Sequence, residues 1–96
     1  MRTKNEKEFL REVAIFVKKE RTAQGISRDT LAELANLSTR GIEKFETSYT
    51  NIGLSNIFHI LKVLHIDLDK VESIYDEKLE EELNERIKNL GKHWNG

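Results

Sequence analysis

Leu68, Val71, Tyr75, Leu79, Leu83, Ile87, Leu90 and Trp94 form an apolar series at spacings of 3, 4, 4, 4, 4, 3 and 4. Such spacing puts every member on one face of an α-helix and on no single face of a strand. The stretches "DEK", "EEE" and "NER" between them supply a strongly charged opposite face. Proline is absent from all 96 residues, so no residue type in the chain breaks a helix outright. The last quarter of the sequence therefore reads as one long amphipathic helix, and the whole as an all-α protein.

Shorter helices precede it. Phe9, Val13, Phe16 and Val17 recur at i, i+4, i+7 and i+8, a first helix that Gly25 can stop. Ser27 offers an N-cap oxygen to a second helix over residues 28–35, with Leu31, Ala32 and Ala35 inward. Asn36, tolerant of left-handed backbone, closes it and starts a tight turn. Ser38 caps a third helix in "LSTRGIEKFE", where Ile42 and Phe45 face the core. The polar "TSYTNIG" leads to a fourth helix over residues 54–64, with Leu54, Ile57, Phe58, Leu61 and Leu64 on its inner side. Asp67 can cap the fifth. Gly41 is the anomaly, since glycine within a short helix costs about 0.5–1 kcal/mol relative to alanine.

Net charge is −1, but it is unevenly spread. Residues 1–50 carry ten Lys/Arg against eight Asp/Glu, and residues 51–96 carry six against nine. The front half can meet phosphates; the back half repels them. With no cysteine there is neither a disulfide framework nor a thiolate metal site. His59, His65 and His93 lack partners at metal-ligand spacing, so no metal is expected. The carboxylates of residues 72–85 form the polar side of a helix. Without a nucleophile motif, a Gly-rich phosphate loop or paired acids, the chain reads as no enzyme and needs no cofactor. No apolar run is long enough for a membrane span, and "MRTKNEKEF" has no signal core, so a cytoplasmic protein is expected.

The second and third helices share a short turn, with small Ala32 at their crossing and Leu31, Leu37, Ile42 and Phe45 beneath. This is a helix-turn-helix pattern, whose second helix can enter a major groove. Several markers fall in register between Phe16 and Val71: Arg21 four residues before Gly25, "LAELANLS", "IEKFE" and "LSNIFHILKVLHI". The segment resembles the Cro/C1-type (XRE) helix-turn-helix family. That resemblance implies a five-helix lambda-repressor-like domain over residues 6–71, with residues 72–96 as an amphipathic C-terminal extension. It also implies sequence-specific binding to a palindromic operator in double-stranded DNA.

Carried over position by position, the resemblance makes Thr39, Arg40 and Lys44 the base-reading residues, with Gly41 and Glu43 beside them. Ser27, Arg28, Ser38 and Thr47 fall where members of the family touch phosphates, and Arg21 and Glu46 fall where they form a structural ion pair. Two positions depart from the pattern. Arg28 stands where glutamine is usual; it keeps a phosphate donor but loses an acceptor. Asn36 stands where glycine is common. Gly41, between Arg40 and Lys44, reads as a place where a larger side chain would strike a base edge or a phosphate.

The stripe from Leu68 onward has two readings. It is either a helix folded back as core, or a seam for a second subunit or partner through Tyr75, Leu79, Leu83, Ile87, Leu90 and Trp94. The front helices hold enough apolar residues for a small core, and so long a face left in water would be an unusually large patch. A homodimer is therefore favoured, and with it a transcriptional repressor. An alternative comes from "FETSYTNIGLSNIFHILKVLHIDLD", which is similar to HipB-type antitoxins. On that reading the C-terminal half also binds a toxin protein, and the chain autorepresses its operon.

Overall fold

The computed structural model describes residues 4–91. Five helices follow one another: α1 (Lys4–Ala23), α2 (Arg28–Ala35), α3 (Thr39–Ser48), α4 (Leu54–Val63) and α5 (Leu68–Gly91). Among the described residues there is no strand. This is the all-α, five-helix architecture with a long last helix, and α5 runs without a break past residue 71.

One backbone device makes three of the four connections, as Gly25-Ile26-Ser27, Asn36-Leu37-Ser38 and His65-Ile66-Asp67. The first residue of each is left-handed, with φ of 70, 57 and 55°. Its amide and the next one bond back to the helix just ended. Gly25 N donates to Thr22 O at 3.0 Å and Ile26 N to Arg21 O at 3.1 Å; Leu37 N reaches Ala32 O at 2.8 Å and Ile66 N reaches Leu61 O at 2.9 Å. These are the paired bonds of a Schellman closure, which satisfy carbonyls the helix end leaves open. The aliphatic second residue packs on the core. The third stands just before the next helix, so each helix stops, turns and restarts within three residues.

The core consists of Val13, Ala14 and Val17 from α1, Leu31, Ala32 and Ala35 from α2, and Ile42 and Phe45 from α3, with Ile60, Leu61 and Leu64 at the end of α4. Buried Ala32 and Ala35 let α2 lie close to α3 and α4, the elements it packs against. The inner face of α4 is rotated from the sequence expectation. Ile60 is buried, whereas Leu54 is 72% exposed and Phe58 lies at the surface. Gln24 fixes this helix end from afar, donating from Nε2 to Leu64 O at 2.7 Å.

The stripe on α5 divides in two. Its first half lies along α1, where Val71 and Ile74 pack on the core and Tyr75 meets Phe9 edge-to-face at 5.7 Å. Arg86 approaches Glu6 at 3.8 Å, so partners on α1 fall in number as those on α5 rise, and the pair is antiparallel. Leu83, Ile87 and Leu90 are exposed. Leu83 is bare although Arg86, further along, still meets Glu6; the half-buried side of α5 there is that of Lys78, Leu79 and Glu82. Of the residues expected in a seam, Tyr75 and Leu79 are half-buried in the isolated chain, while Trp94 lies outside the described residues.

Phe45 is fully buried at the centre of the core. Phe45→Ala should lower the unfolding free energy by about 3–5 kcal/mol, measured by urea denaturation followed by circular dichroism. A loss under about 1 kcal/mol would contradict this placement.

Candidate nucleic-acid interface

Ile42, Phe45 and Glu46 are buried, which anchors α3 by one side and turns the opposite side to solvent. Thr39, Arg40, Glu43, Lys44, Thr47 and Ser48 are exposed on it. Among the described residues neither Arg40 nor Lys44 is held in an ion pair. The two lie four residues apart, on one face of the helix. The structure thus presents two free cations, with hydroxyls beside them, on a rigid exposed ridge.

The start of α3 is set by Ser38, whose Oγ accepts from Gly41 N at 2.9 Å. A Cβ at Gly41 would lie 2.9 Å from that same oxygen, closer than packing permits. Alanine here would make the capping hydroxyl shift, which the end of a serine side chain does at small cost. An N-cap contributes about 1 kcal/mol, close to what alanine would gain in helix propensity.

Beneath the ridge lies a three-residue ionic cluster. Arg21 donates from Nε to Glu46 Oε2 at 2.6 Å and from Nη2 to Oε1 at 2.9 Å, while its Nη1 reaches Ile26 O at 2.8 Å. Arg28 adds a bond from Nε to Glu46 Oε1 at 2.9 Å. The Glu46 side chain has no exposed surface. Burial pushes its carboxyl up, but the hydrogen bonds and charges of Arg21 and Arg28 outweigh that and hold it below the ordinary 4.5. One carboxylate thereby joins α1, the first residue of α2, and α3.

Arg28 is the member that sequence reasoning misses, since it assigns this residue to phosphate alone. There is a signal: a cation at the start of a helix opposes the helix dipole and needs a nearby anion. Its side chain keeps a third of its surface exposed, and Nε is the atom bonded to Glu46, so the terminal Nη groups remain to meet a phosphate. The hydroxyl candidates differ among themselves. Thr47 donates to Glu43 O at 2.8 Å, which commits its proton to the helix. Ser27 caps α2 by accepting from Thr30 N and donates to Thr30 Oγ1, both at 3.0 Å. Ser38 accepts from Gly41 N, which leaves its proton free to donate outward.

Among the described residues no group of three His, Cys, Asp or Glu side chains is arranged to hold a metal ion, and no helix is long and apolar enough to cross a membrane.

Because the Glu46 carboxyl is lowered in the folded state, the cluster's contribution is complete above pH 4.5 and is lost as pH falls below it. Glu46→Gln should cost about 3 kcal/mol at neutral pH, by leaving two cations uncompensated. It should also flatten the acid-side decline of stability. Urea titrations over a pH series read both effects, and an unchanged acid limb would contradict the assignment.

A helix-turn-helix family model matches residues 17–71, more than half of the chain. Comparison with curated proteins and with solved structures finds no match. The matched span runs from within α1 to the first turn of α5. It contains the ionic cluster, the α2–α3 crossing and the whole exposed ridge of α3, so the match and the geometry coincide. The chain belongs to the Cro/C1-type (XRE) helix-turn-helix family of DNA-binding transcription regulators.

Proposed function

We propose that the protein is a repressor that binds a palindromic operator as a homodimer, with α3 of each copy laid in the major groove. The observation that carries this reading is the pair of unpaired cations, Arg40 and Lys44, on the outer face of a helix whose inner face is locked in the core. Arg40 is suited to guanine O6 and N7, and Thr39 to a thymine methyl. Lys44 and Glu43 read further along the helix, and Gly41 lets the backbone come close. Ser38 and the terminal nitrogens of Arg28 hold phosphates, as Ser27 and Thr47 do once their hydroxyls turn outward.

A single α3 of ten residues covers only a few base pairs. Two copies spaced about 34–36 Å apart would read both halves of a palindrome. The exposed stretch of α5 through Leu83, Ile87 and Leu90 supports pairing of two copies. These three residues lie on one helical face that the described chain leaves uncovered. The same uncovered face supports the antitoxin reading, with a toxin protein in place of the second copy. A neighbouring toxin gene together with a monomeric chain would select that alternative.

Arg40→Ala/Lys44→Ala should keep the helical spectrum and the melting temperature but lose the preference for operator over random DNA. A good side-chain pairing with a base edge supplies about 1–3 kcal/mol of discrimination. Selection of bound DNA from a random pool supplies the operator, and titration against it reads the effect. Full discrimination by the double variant would refute α3 as the reader. Ile87→Glu/Leu90→Glu should turn a dimer into a monomer in analytical ultracentrifugation, with weaker operator binding. A dimer that survives both charges would place the seam elsewhere.

A further inference from the structure

The outward face of α3 does not end with Lys44. Ser48, one turn further on, is exposed on the same side and lines a groove of about 480 Å³ between the end of α3 and the start of α1. Lys4, Lys7, Glu8, Leu10, Arg11 and Tyr49 complete its lining. Lys4, Lys7 and Arg11 recur at i, i+3 and i+7, so one face of α1 brings three cations to it, against the single carboxylate of Glu8. Among the described residues none of the three cations is in an ion pair.

Tyr49 fixes the geometry of this groove. It is the C-cap of α3, in left-handed backbone at φ 55°, a conformation unusual for so bulky a residue. There its ring lies under the Arg11 guanidinium, 5.8 Å from centroid to Cζ, within the range of a cation–π contact. Arg11 is thus positioned beside the exit of α3 rather than left to wander in solvent. Arg40 and Lys44, with Glu43 between them, and then the Ser48 hydroxyl and the α1 cations with Glu8, make a polar track with more cations than carboxylates from the front of α3 to the start of α1.

We infer that this groove seats the phosphate backbone of DNA flanking the segment that α3 reads, so that α1 is a second contact element. The inference rests on the DNA-binding reading above and extends it to Lys4, Lys7 and Arg11. It follows from charge complementarity and from continuity with α3. A sugar-phosphate strand leaving the groove read by α3 carries closely spaced negative charge, and the next cations available to it along this track are those of α1. Such contacts add affinity without sequence preference, and they raise the salt dependence of binding.

The test uses the full chain and a Lys4→Gln/Lys7→Gln/Arg11→Gln variant. Each is titrated over a salt series against a random-sequence duplex of about 30 bp and against a fragment selected by the unaltered protein. Every phosphate that the variant no longer neutralises should lower the slope of log K against log salt by about 0.9. The expected result is a slope shallower by about 2 on both duplexes, as two or more phosphates go without their cation. Affinity should fall by the same factor on both, so that the ratio between them is preserved. Arg40→Ala/Lys44→Ala should instead collapse that ratio. The Lys4→Glu/Lys7→Glu charge reversal, on a solvent-exposed helical face, checks the sign: it should weaken binding more than the neutral variant does. If the unaltered protein binds DNA and the triple variant keeps its slope and affinities, the groove is no phosphate contact and this inference alone falls. If the unaltered protein binds neither duplex, the DNA-binding reading itself falls, and the groove assignment with it.

Discussion

Glu46 is the residue on which the arrangement of the first three helices turns. Its carboxylate is buried with two guanidiniums on it, one from the end of α1 and one from the start of α2. A buried ion pair adds little net stability compared with an apolar substitute, yet losing one partner is severe, because an unpaired buried charge remains. Its value is therefore geometric. The bidentate fork of Arg21 fixes direction as well as distance, and Arg28 ties the origin of α2 to the same point. The exposed ridge of α3 is consequently held at a set angle to α1 and α2.

The connections do the complementary work. Gly25, Asn36 and His65 each take the left-handed conformation, and an aliphatic residue next in sequence plugs into the core. A three-residue link leaves little freedom in the angle between successive helices, so α2 and α3 cross where Ala32 and Ala35 allow close approach. The same economy produces Gly41. At the third position of α3 it accommodates the Ser38 hydroxyl that caps the helix, and the absence of a side chain keeps that part of the ridge low. One glycine thus shapes both the start of the helix and its exposed face.

At its far end the molecule is built differently. α5 uses Val71, Ile74 and Tyr75 to close the domain over α1 and stays beside it as far as Arg86, which meets Glu6. The rest of the helix is acidic on one side and apolar on the other. The first 50 residues carry ten Lys/Arg against eight Asp/Glu and the rest six against nine, with Lys4, Lys7 and Arg11 on one face of α1 and Arg40 and Lys44 on the outer face of α3. The total of −1 conceals this division.

Every helix was legible in the sequence, because periodicity, capping serines and left-handed closers such as Gly25 and Asn36 are local signals that act within a few residues. The position of the helix-turn-helix was legible too, through markers that fall in register around Ala32. What the sequence could not decide was which of two competing partners a side chain takes. Arg28 could serve phosphate or carboxylate, and it turned to Glu46 because folding brings together residues 18 apart in the chain. Thr47 could point outward, and bonds instead to the carbonyl of Glu43. The inner face of α4 shifted from Phe58 toward Ile60 because the helix is gripped from α2 and by Gln24, which is 40 residues away. The α5 stripe is uniform as a pattern, yet half-buried at Val71, Tyr75 and Leu79 and bare at Leu68, Leu83, Ile87 and Leu90. A repeat fixes which residues share a face, but only the packing of α5 on α1 fixes which part of that face is buried.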